Sequence, residues 1–336
     1  MRAVTIDYLH RDLRERDLTD PREPTDDEVL FQILEIGICG TDRNLASFRY
    51  GRGPVGDDFL VPGHEALGEV LNTGPAVRHL KRGDLVIPLV RRPCTPPCYS
   101  CERNRRDLCT SGNYTERGIM GAHGYFTEQA IDRETDLIRI DFTLRDRAVL
   151  LEPLSVVEKA VARALESHQG QPATALVLGA GTVGLLAAGV LRLRGLEVDL
   201  VSVEASGSRR ASLAQAAEVR YLQKPDRKAD IVIEAAGPPE AADVGLRALA
   251  TLGVMVVLGA YETRQPAPLL NLILGNQTVL GSVNASPEHF SLAAKDLGRL
   301  PEAITSGLIQ RLGFGEYRRT LTGVPLDAPK IVHVSN

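Results

Sequence analysis

The amino-acid sequence predicts a two-domain α/β protein, in which a mostly-β domain combines with a doubly wound parallel-sheet domain. The chain has 336 residues, and a prior of ~150 residues per domain suggests two domains. Up to residue 155 the sequence consists of short apolar runs broken by Gly and Pro, whereas from Ala173 apolar strands alternate with helices. We therefore assign residues 1–155 and 286–336 to one domain and residues 156–285 to the other.

The first domain is predicted to be built from short strands. Runs rich in residues that favour strands span 29–35, 67–71, 84–90 and 124–131. A helix is predicted over 156–167, where Val157, Ala160, Val161 and Ala164 or Leu165 recur at helical spacing on one face. The segment beyond residue 286 is expected to be helical to about residue 305 and strand-like near its end.

The second domain alternates strands and helices along the chain. The predicted strands are 175–178, 198–203, 230–234, 254–258 and 278–283, and the predicted helices are 183–194, 210–217 and 239–249. Such alternation is typical of a parallel sheet covered by helices on both faces. Because the segment after residue 286 breaks this alternation, we assign it to the first domain.

Composition excludes several classes of partner. The net charge of −4 gives no reason to expect a nucleic-acid partner, which needs concentrated positive charge. No run of ~18 apolar residues is present, so no membrane span is expected. Residues 1–20 are rich in charge and lack the apolar core of a signal peptide, which predicts a cytoplasmic protein.

Four of the five cysteines are clustered. Cys94, Cys98, Cys101 and Cys109 have the spacing C-x3-C-x2-C-x7-C, and Cys39 stands apart. In a reducing compartment grouped cysteines indicate a metal more than disulfide bridges, which are the alternative. Four thiolates complete a tetrahedral structural zinc site, so we expect one here.

A glycine-rich turn follows the first strand of the second domain. Gly179, Gly181 and Gly184 form G-x-G-x-x-G, and Thr182 and Val183 open the next helix. The glycines permit a tight turn and a close approach of a pyrophosphate to the helix N-terminus, whose amides favour negative charge. A plain tight turn is the alternative, but the strand–turn–helix context favours a dinucleotide site.

An acidic residue is expected about 20 residues after the glycines, where it binds the ribose hydroxyls of a dinucleotide. Glu204 fits, and its charge would repel a 2′-phosphate, which favours NAD over NADP. Arg209 and Arg210 follow closely and could instead hold such a phosphate, although arginines at a helix start are more often surface residues.

Cys39 and His64 lie in two short motifs, GICGTD (37–42) and PGHEALGEV (62–70). By itself each residue is compatible with a purely structural role. Together with the four-cysteine loop, the GAGTVG turn and the domain order, the two motifs resemble the zinc-dependent medium-chain dehydrogenase/reductase family. The stretches VIPLVRRPC (86–94), GNYTERGI (112–119), HGYFTE (123–128), LLEPLSVVEKA (150–160) and GSVNASPEHF (281–290) resemble its glucose dehydrogenase branch.

The resemblance implies a fold and an activity. The first domain would be a GroES-like, mostly-β catalytic domain and the second a Rossmann domain. Members of the branch oxidise aldoses and related polyols with NAD or NADP and are usually tetrameric, which implies a homo-oligomer, tetramer or dimer. Two zinc ions per chain are implied, one catalytic and one structural.

The resemblance also implies roles for individual residues. Cys39, His64 and Glu152 would bind the catalytic zinc, and Glu65 would bind it directly or lie just behind it. Thr41 matches the hydroxyl that relays the substrate proton. Glu116 and Asn284 match positions near the sugar and the nicotinamide, and His289 in the same motif has a structural role as an equal alternative.

Three departures from the branch bear on the substrate. The first gap of the cysteine loop holds three residues where two are usual, which a loop can absorb. Val90 and Val156 stand where polar sugar contacts occur in the branch. Unpaired buried polar groups cost roughly 1–3 kcal/mol each, so a modified, deoxygenated or cyclitol-like alcohol is expected rather than glucose.

Two other functions compete with this hypothesis. A metal-independent NADPH quinone or alkene reductase of the same superfamily would not carry the ligand set at Cys39, His64 and Glu152. A non-catalytic zinc protein that senses redox state would not need a second, open metal site.

Overall fold

The computed structural model describes residues 1–259, 269–323 and 326–335. Residues 324, 325 and 336 of the predicted C-terminal segment therefore lie outside the described residues. The described strands, in chain order, are β1 (Arg2–Asp7), β2 (Asp12–Asp17), β3 (Glu28–Ile38), β4 (Phe59–Leu60), β5 (Glu65–Thr73), β6 (Leu85–Pro88), β7 (Arg91–Arg92), β8 (Thr115–Arg117), β9 (Gly121–Ala122), β10 (Gln129–Arg133), β11 (Leu137–Ile140), β12 (Thr174–Leu178), β13 (Glu197–Val201), β14 (Arg220–Leu222), β15 (Ala229–Glu234), β16 (Leu249–Val257), β17 (Thr278–Gly281), β18 (Ile309–Gly313) and β19 (Lys330–Val334). The described α-helices are α1 (Gly40–Ala46), α2 (Tyr99–Glu102), α3 (Leu151–Ser167), α4 (Thr182–Leu193), α5 (Arg209–Ala216), α6 (Pro239–Ala248), α7 (Leu269–Gly275), α8 (Pro287–Leu297) and α9 (Tyr317–Leu321).

A six-stranded sheet with every pair parallel lies in the second half of the chain, in the order β14-β13-β12-β15-β16-β17. Strands β12 and β15 are almost wholly buried, as expected of strands covered by helices on both faces. The strand order reverses between β12 and β15, and in such sheets ligands bind beside the carboxyl ends of the strands at that point. The predicted α/β fold class is confirmed.

A larger, mainly antiparallel sheet involves both ends of the chain. Its order is β11-β6-β5-β3-β19-β18, and β10 also pairs with β3. Strand β19 runs antiparallel to β3, so that Val332 lies opposite Gly37. Strand β19 thus lies beside β3, which leads into the Cys39 motif, and β5 of the His64 motif lies on the other side of β3.

Helix α3 links the two sheets and begins earlier than predicted. It starts at Leu151 rather than at residue 156, and it places Glu152 and Pro153 in its first turn, where proline is tolerated. Its buried face packs against α4 and α8. Glu152 therefore projects from a helix end rather than from a loop.

Several predicted element bounds are wrong. Residues 124–128 of the predicted strand 124–131 form a bent segment instead, in which the amides of Gly124 and Phe126 donate hydrogen bonds to the carbonyls of Val61 and Pro62. The strand predicted over 198–203 ends at Val201, and the one over 278–283 ends at Gly281. The hairpin of β1 and β2 lies in the charge-rich N-terminal segment and carried no prediction.

Among the described residues, none of the helices combines the length and the apolar character that crossing a bilayer requires.

Candidate active site

Cys39 and His64 lie at the same end of two adjacent strands. Cys39 follows β3 and caps α1, and His64 directly precedes β5, whose Glu65 lies opposite Gly37 of β3. One ligand atom from each of Cys39, His64 and Glu65 can be chosen so that all three lie within 4.8 Å of one another. The strand pairing thus brings together residues that are 25 positions apart in the sequence.

The spacing of these atoms fits zinc. Sγ of Cys39 lies 3.4 Å from Nε2 of His64. With a Zn–S bond of about 2.3 Å and a Zn–N bond of about 2.0–2.1 Å, tetrahedral ligands are separated by roughly 3.5 Å. A thiolate and an imidazole at this distance suit a single zinc ion.

Asp42 supports both side chains from behind. Its Oδ1 lies 3.3 Å from Nδ1 of His64, and its Oδ2 accepts a 2.9 Å hydrogen bond from the amide of Cys39. Burial acts to lower the pKa of His64, but the charges of Asp42 and Cys39 outweigh it and raise that pKa well above its usual value. A carboxylate behind a ligating histidine orients the ring and makes it a stronger ligand.

Two buried glutamates adjoin the Cys39–His64 pair in different ways. Glu65 forms an ion pair with Nζ of Lys330, which also donates a 3.2 Å hydrogen bond to the carbonyl of Ile38. Glu152 falls outside the group of mutually close ligand atoms, but burial raises its pKa to about 7, with opposing effects of His64 and Glu65. The structure therefore brings Glu65 into the group and leaves Glu152 out of it.

Thr41 lies in the same turn as Cys39. It occupies the second position of α1, and its amide donates a 3.2 Å hydrogen bond to Sγ of Cys39. Thr41 is partly exposed.

The four clustered cysteines form a second ligand set. Sγ of Cys94 lies 3.6 Å from Sγ of Cys101, and Sγ of Cys98 lies 3.9 Å from Sγ of Cys109. Tetrahedral thiolates around zinc are separated by roughly 3.8 Å, so the set fits a closed structural site. Hydrogen bonds from the backbone of Cys101 and from Thr110 lower the pKa of Cys98 to about 5, which favours the thiolate that a metal needs.

The glycine-rich turn lies at the carboxyl end of β12. Gly179 has φ +99°, and Gly181 caps α4. A Cβ at Gly184 would collide with the carbonyl of Gly179, so the close contact of turn and helix requires glycine. Thr182 donates a 2.8 Å hydrogen bond to the carbonyl of Pro329, and Val183 is the second residue of the helix.

A cavity of about 500 Å³ adjoins this turn and is lined by Gly179, Gly181, Glu204, Arg210 and Lys224, among others. Glu204 lies beyond the end of β13, accepts a hydrogen bond from Ser202, and lies 3.4 Å from Nε of Arg210. Arg209 is not among the lining residues, and its guanidinium binds the carbonyl of Gly307. The acid predicted to bind the ribose thus lines the cavity.

Glu116 and Asn284 meet although they are 168 residues apart. Nδ2 of Asn284 donates a 3.0 Å hydrogen bond to Oε1 of Glu116, which also accepts from Nη2 and Nε of Arg91 at 2.9 and 3.1 Å. Asn284 has φ +60°. His289 instead caps α8, with Nδ1 2.7 Å from Oγ of Ser286, which is a structural role.

Models of two families match the chain: the alcohol dehydrogenase GroES-like domain over residues 25–141 and the glucose dehydrogenase C-terminus over residues 145–321. Glucose 1-dehydrogenase of Thermoproteus tenax is 42% identical over 93% of this chain and 92% of its own length. The chain belongs to the glucose dehydrogenase branch of the zinc-dependent medium-chain dehydrogenases. Glucose 1-dehydrogenase 2 of Vulcanisaeta moutnovskia is 35% identical over 99% of both chains. A structure of Haloferax mediterranei glucose dehydrogenase in complex with NADP, zinc and gluconolactone superposes with a TM-score of 0.90 at 29% identity, covering 100% of this chain and 99% of the other.

Family membership confirms the predicted class of enzyme. As a medium-chain dehydrogenase of this branch, the protein is a zinc-dependent oxidoreductase that uses NAD(P). The quinone or alkene reductase and the redox-sensing zinc protein, which were the competing hypotheses, are not favoured by these similarities.

Four residues near the site carried no prediction. Asp42 and Lys330 contact the proposed ligands, Arg91 contacts Glu116, and burial followed by the charge of Glu116 raises the pKa of Tyr50. The role of Asp42 could have been found in the sequence, because an acidic residue three positions after Cys39 can complete a capping box at the start of a helix. No sequence pattern indicated Lys330, because only the pairing of β19 with β3 brings it to this site.

Proposed function

We propose that this dehydrogenase oxidises a secondary alcohol of a sugar, aminosugar or cyclitol-like polyol by hydride transfer to NAD(P). The observation that carries the proposal is the 3.4 Å approach of the Cys39 thiol to the His64 imidazole, supported by Asp42. A thiolate and an imidazole buried next to carboxylates, in a chain that also carries a dinucleotide turn, suit alcohol oxidation.

Cys39, His64 and one carboxylate are proposed as the ligands of the catalytic zinc. Lys330 already neutralises Glu65, which favours Glu152 as the third ligand and leaves Glu65 behind it. A zinc ion in this position would supply Lewis acidity that lowers the pKa of the substrate hydroxyl.

Thr41 is proposed to carry the hydroxyl proton away from the substrate. Its amide hydrogen bond to Cys39 keeps its side chain in the ligand-bearing turn, and its partial exposure gives a route to solvent. A bound nicotinamide would supply the acceptor for the hydride from the carbon that bears this hydroxyl group, so the remaining task of the protein is to hold the two reacting atoms in line and exclude water.

Glu116 and Asn284 are proposed to bind substrate hydroxyl groups. Glu116 is buried and held by Arg91, which fixes its carboxylate as an oriented acceptor. Val90 is buried and Val156 half-buried, and neither can pair with a hydroxyl group. We therefore expect a substrate that lacks one or two of the hydroxyl groups of glucose, or that has them modified, to be preferred over glucose.

NAD is proposed as the preferred cofactor, and Gly179, Gly181, Thr182, Val183, Gly184 and Glu204 are proposed to bind it. Glu204 lines the cavity, and its contact with Arg210 engages a cation that would otherwise attract a 2′-phosphate. NADP is the second candidate, because Lys224 in the same lining offers another cation and the Haloferax enzyme was solved with NADP. A larger kcat/KM with NADP than with NAD would contradict the proposal.

The remaining parts of the proposal concern assembly. We propose two zinc ions per chain, a homo-oligomer and a cytoplasmic location, where a reducing environment keeps the five free cysteines available for metal. We also propose that residues 1–155 and 286–336 fold as the catalytic domain and residues 156–285 as the Rossmann domain.

The proposed function is tested by an alcohol screen with the His64→Ala variant as its control. Wild-type holoenzyme is expected to reduce NAD with at least one member of a panel of aldoses, aminosugars and cyclitols. His64→Ala should bind NADH with unchanged affinity, measured by the fluorescence of the nicotinamide, but should show no turnover. Turnover by His64→Ala, or inactivity of the wild type across the panel, would contradict the proposal.

A further inference from the structure

The segment that follows β17 is anchored by helix α3. Nζ of Lys159 donates a 3.0 Å hydrogen bond to the carbonyl of Val283, and Arg163, one turn later, donates to the carbonyl of Gly281. This segment continues from the carboxyl end of the last strand of the parallel sheet and ends at Asn284, which contacts Glu116.

Lys159 connects this segment to the four-cysteine loop. Its side chain is 2% exposed, and Nζ lies 2.7 Å from Oδ2 of Asp107, which is also buried. Asp107 lies in the short 3₁₀ turn Arg106–Leu108, directly before Cys109. Burying such a pair has a large desolvation cost, so burial alone gives little reason to expect that it stabilises the fold.

A second connection starts from the same aspartate. Nη1 of Arg91 donates a 3.0 Å hydrogen bond to the carbonyl of Asp107, and Nη2 and Nε of Arg91 both bind Oε1 of Glu116. That same oxygen accepts from Asn284. The side chain of Asp107 is therefore linked through Lys159 to Val283, and its carbonyl is linked through Arg91 and Glu116 to Asn284. Val283 and Asn284 are consecutive residues.

Asn284 needs such support because of its backbone conformation. Its φ of +60° lies in the left-handed region, which asparagine tolerates better than most residues but at some energetic cost. Oδ1 of Asn284 accepts a 2.9 Å hydrogen bond from the amide of Ala285, so its amide group is oriented from both ends.

We propose that Asp107, Lys159 and Arg91 are positioning residues that hold Asn284 against Glu116, so that the four-cysteine loop fixes the geometry of the substrate site. This inference rests on the proposed function of Glu116 and Asn284 as substrate contacts. It assigns a role in catalysis to a loop that would otherwise only stabilise the fold.

The test is a double-mutant cycle in the zinc-loaded holoenzyme. Asn284→Ala and Lys159→Met should each raise KM for the alcohol roughly tenfold or more, since each loses a hydrogen bond that involves a charged group. Because both act through the same contact, the double variant should be little worse than either single one. Effects that simply multiply would overturn the proposal.

A second readout does not depend on activity. Hydrogen exchange of the amides in residues 281–286 should become at least tenfold faster in Lys159→Met than in the wild type, while β12 and β15 keep their protection. Arg192 lies on the neighbouring helix α4 and forms a more exposed ion pair with Glu218, so Arg192→Met should change neither KM nor exchange. Unchanged exchange in Lys159→Met would overturn the proposal.

If Lys159→Met fails to fold because Asp107 keeps only its pair with the more exposed Arg105, the double variant Asp107→Asn/Lys159→Met removes both buried charges, and the same exchange measurement decides. If no alcohol in the panel is oxidised, the proposed function fails while the exchange experiment still tests the positioning of the segment. The two failures are therefore distinguishable.

Discussion

Replacing Asp42 by Asn should weaken the catalytic zinc site without unfolding the protein. The carboxylate is fully buried, lies 3.3 Å from Nδ1 of His64 and accepts from the amide of Cys39 at 2.9 Å. An asparagine oxygen can still accept from Cys39, but the charge that opposes the imidazole is lost. Hydrogen bonds to charged groups contribute about 1.5–3 kcal/mol and neutral ones about 0.5–1.5 kcal/mol.

The difference of about 1–1.5 kcal/mol corresponds to a loss of zinc affinity of roughly 5- to 13-fold, at the lower end of the range of about 10- to 100-fold for residues behind metal ligands. Competition against a chromophoric chelator would measure it, and the zinc of the four cysteines serves as the internal reference. Asp141→Asn is the matched control, because Asp141 also accepts an amide hydrogen bond but is exposed and lies elsewhere. A zinc affinity of Asp42→Asn within twofold of the wild type would refute the reasoning.

Three further predictions concern stability and the cofactor. Burial raises the pKa of Glu158 from 4.5 to about 7. Between these values the folded protein holds a proton that the unfolded chain releases, so the free energy of unfolding should fall by up to about 3 kcal/mol between pH 5 and pH 8. Glu158→Gln should make this fall smaller in urea unfolding but not abolish it, because the pKa of Glu152 is also raised to about 7, and an unchanged pH dependence would disprove the contribution of Glu158. Gly184→Ala should destabilise the protein by at least about 2 kcal/mol, because the added Cβ clashes with Gly179. Gly181→Ala has open space around its Cβ, so it should leave the melting temperature nearly unchanged but weaken the binding of NADH. Equal melting temperatures of the two variants would contradict this. Glu204→Ser should raise kcat/KM with NADP relative to NAD at least tenfold, and a ratio that stays constant would remove Glu204 from the account of cofactor choice.

The parallel sheet was predictable because its signal is local and repeated. Apolar runs such as those of β12 and β15 are buried on both faces and therefore stand out against the helices between them. The bend at residues 124–128 was not predictable, because its aromatic residues suit a strand, and backbone hydrogen bonds to distant parts of the chain, which include residues 61–63 and Val4, hold it in place. Tertiary contacts there outweigh the local preference.

The ligand set could be assembled only in part. Cys39 and His64 were paired through a family resemblance, and the register of β3 with β5 accounts for their proximity. The ion pair that holds Glu65 depends on Lys330, which arrives through β19 almost 300 residues after Cys39. No local sequence pattern indicates a contact of that kind. The sequence alone therefore could not show which of Glu65 and Glu152 lies with Cys39 and His64.

The central claim is that Cys39 and His64 hold a catalytic metal in addition to the one bound by the four cysteines. Its most direct test is the zinc content of purified Cys39→Ala beside the wild type, measured together with turnover. The account predicts about two zinc ions per chain in the wild type, one in the variant, an intact fold and no oxidation of any alcohol. A variant that keeps both ions, or that still reduces the nicotinamide, would contradict it.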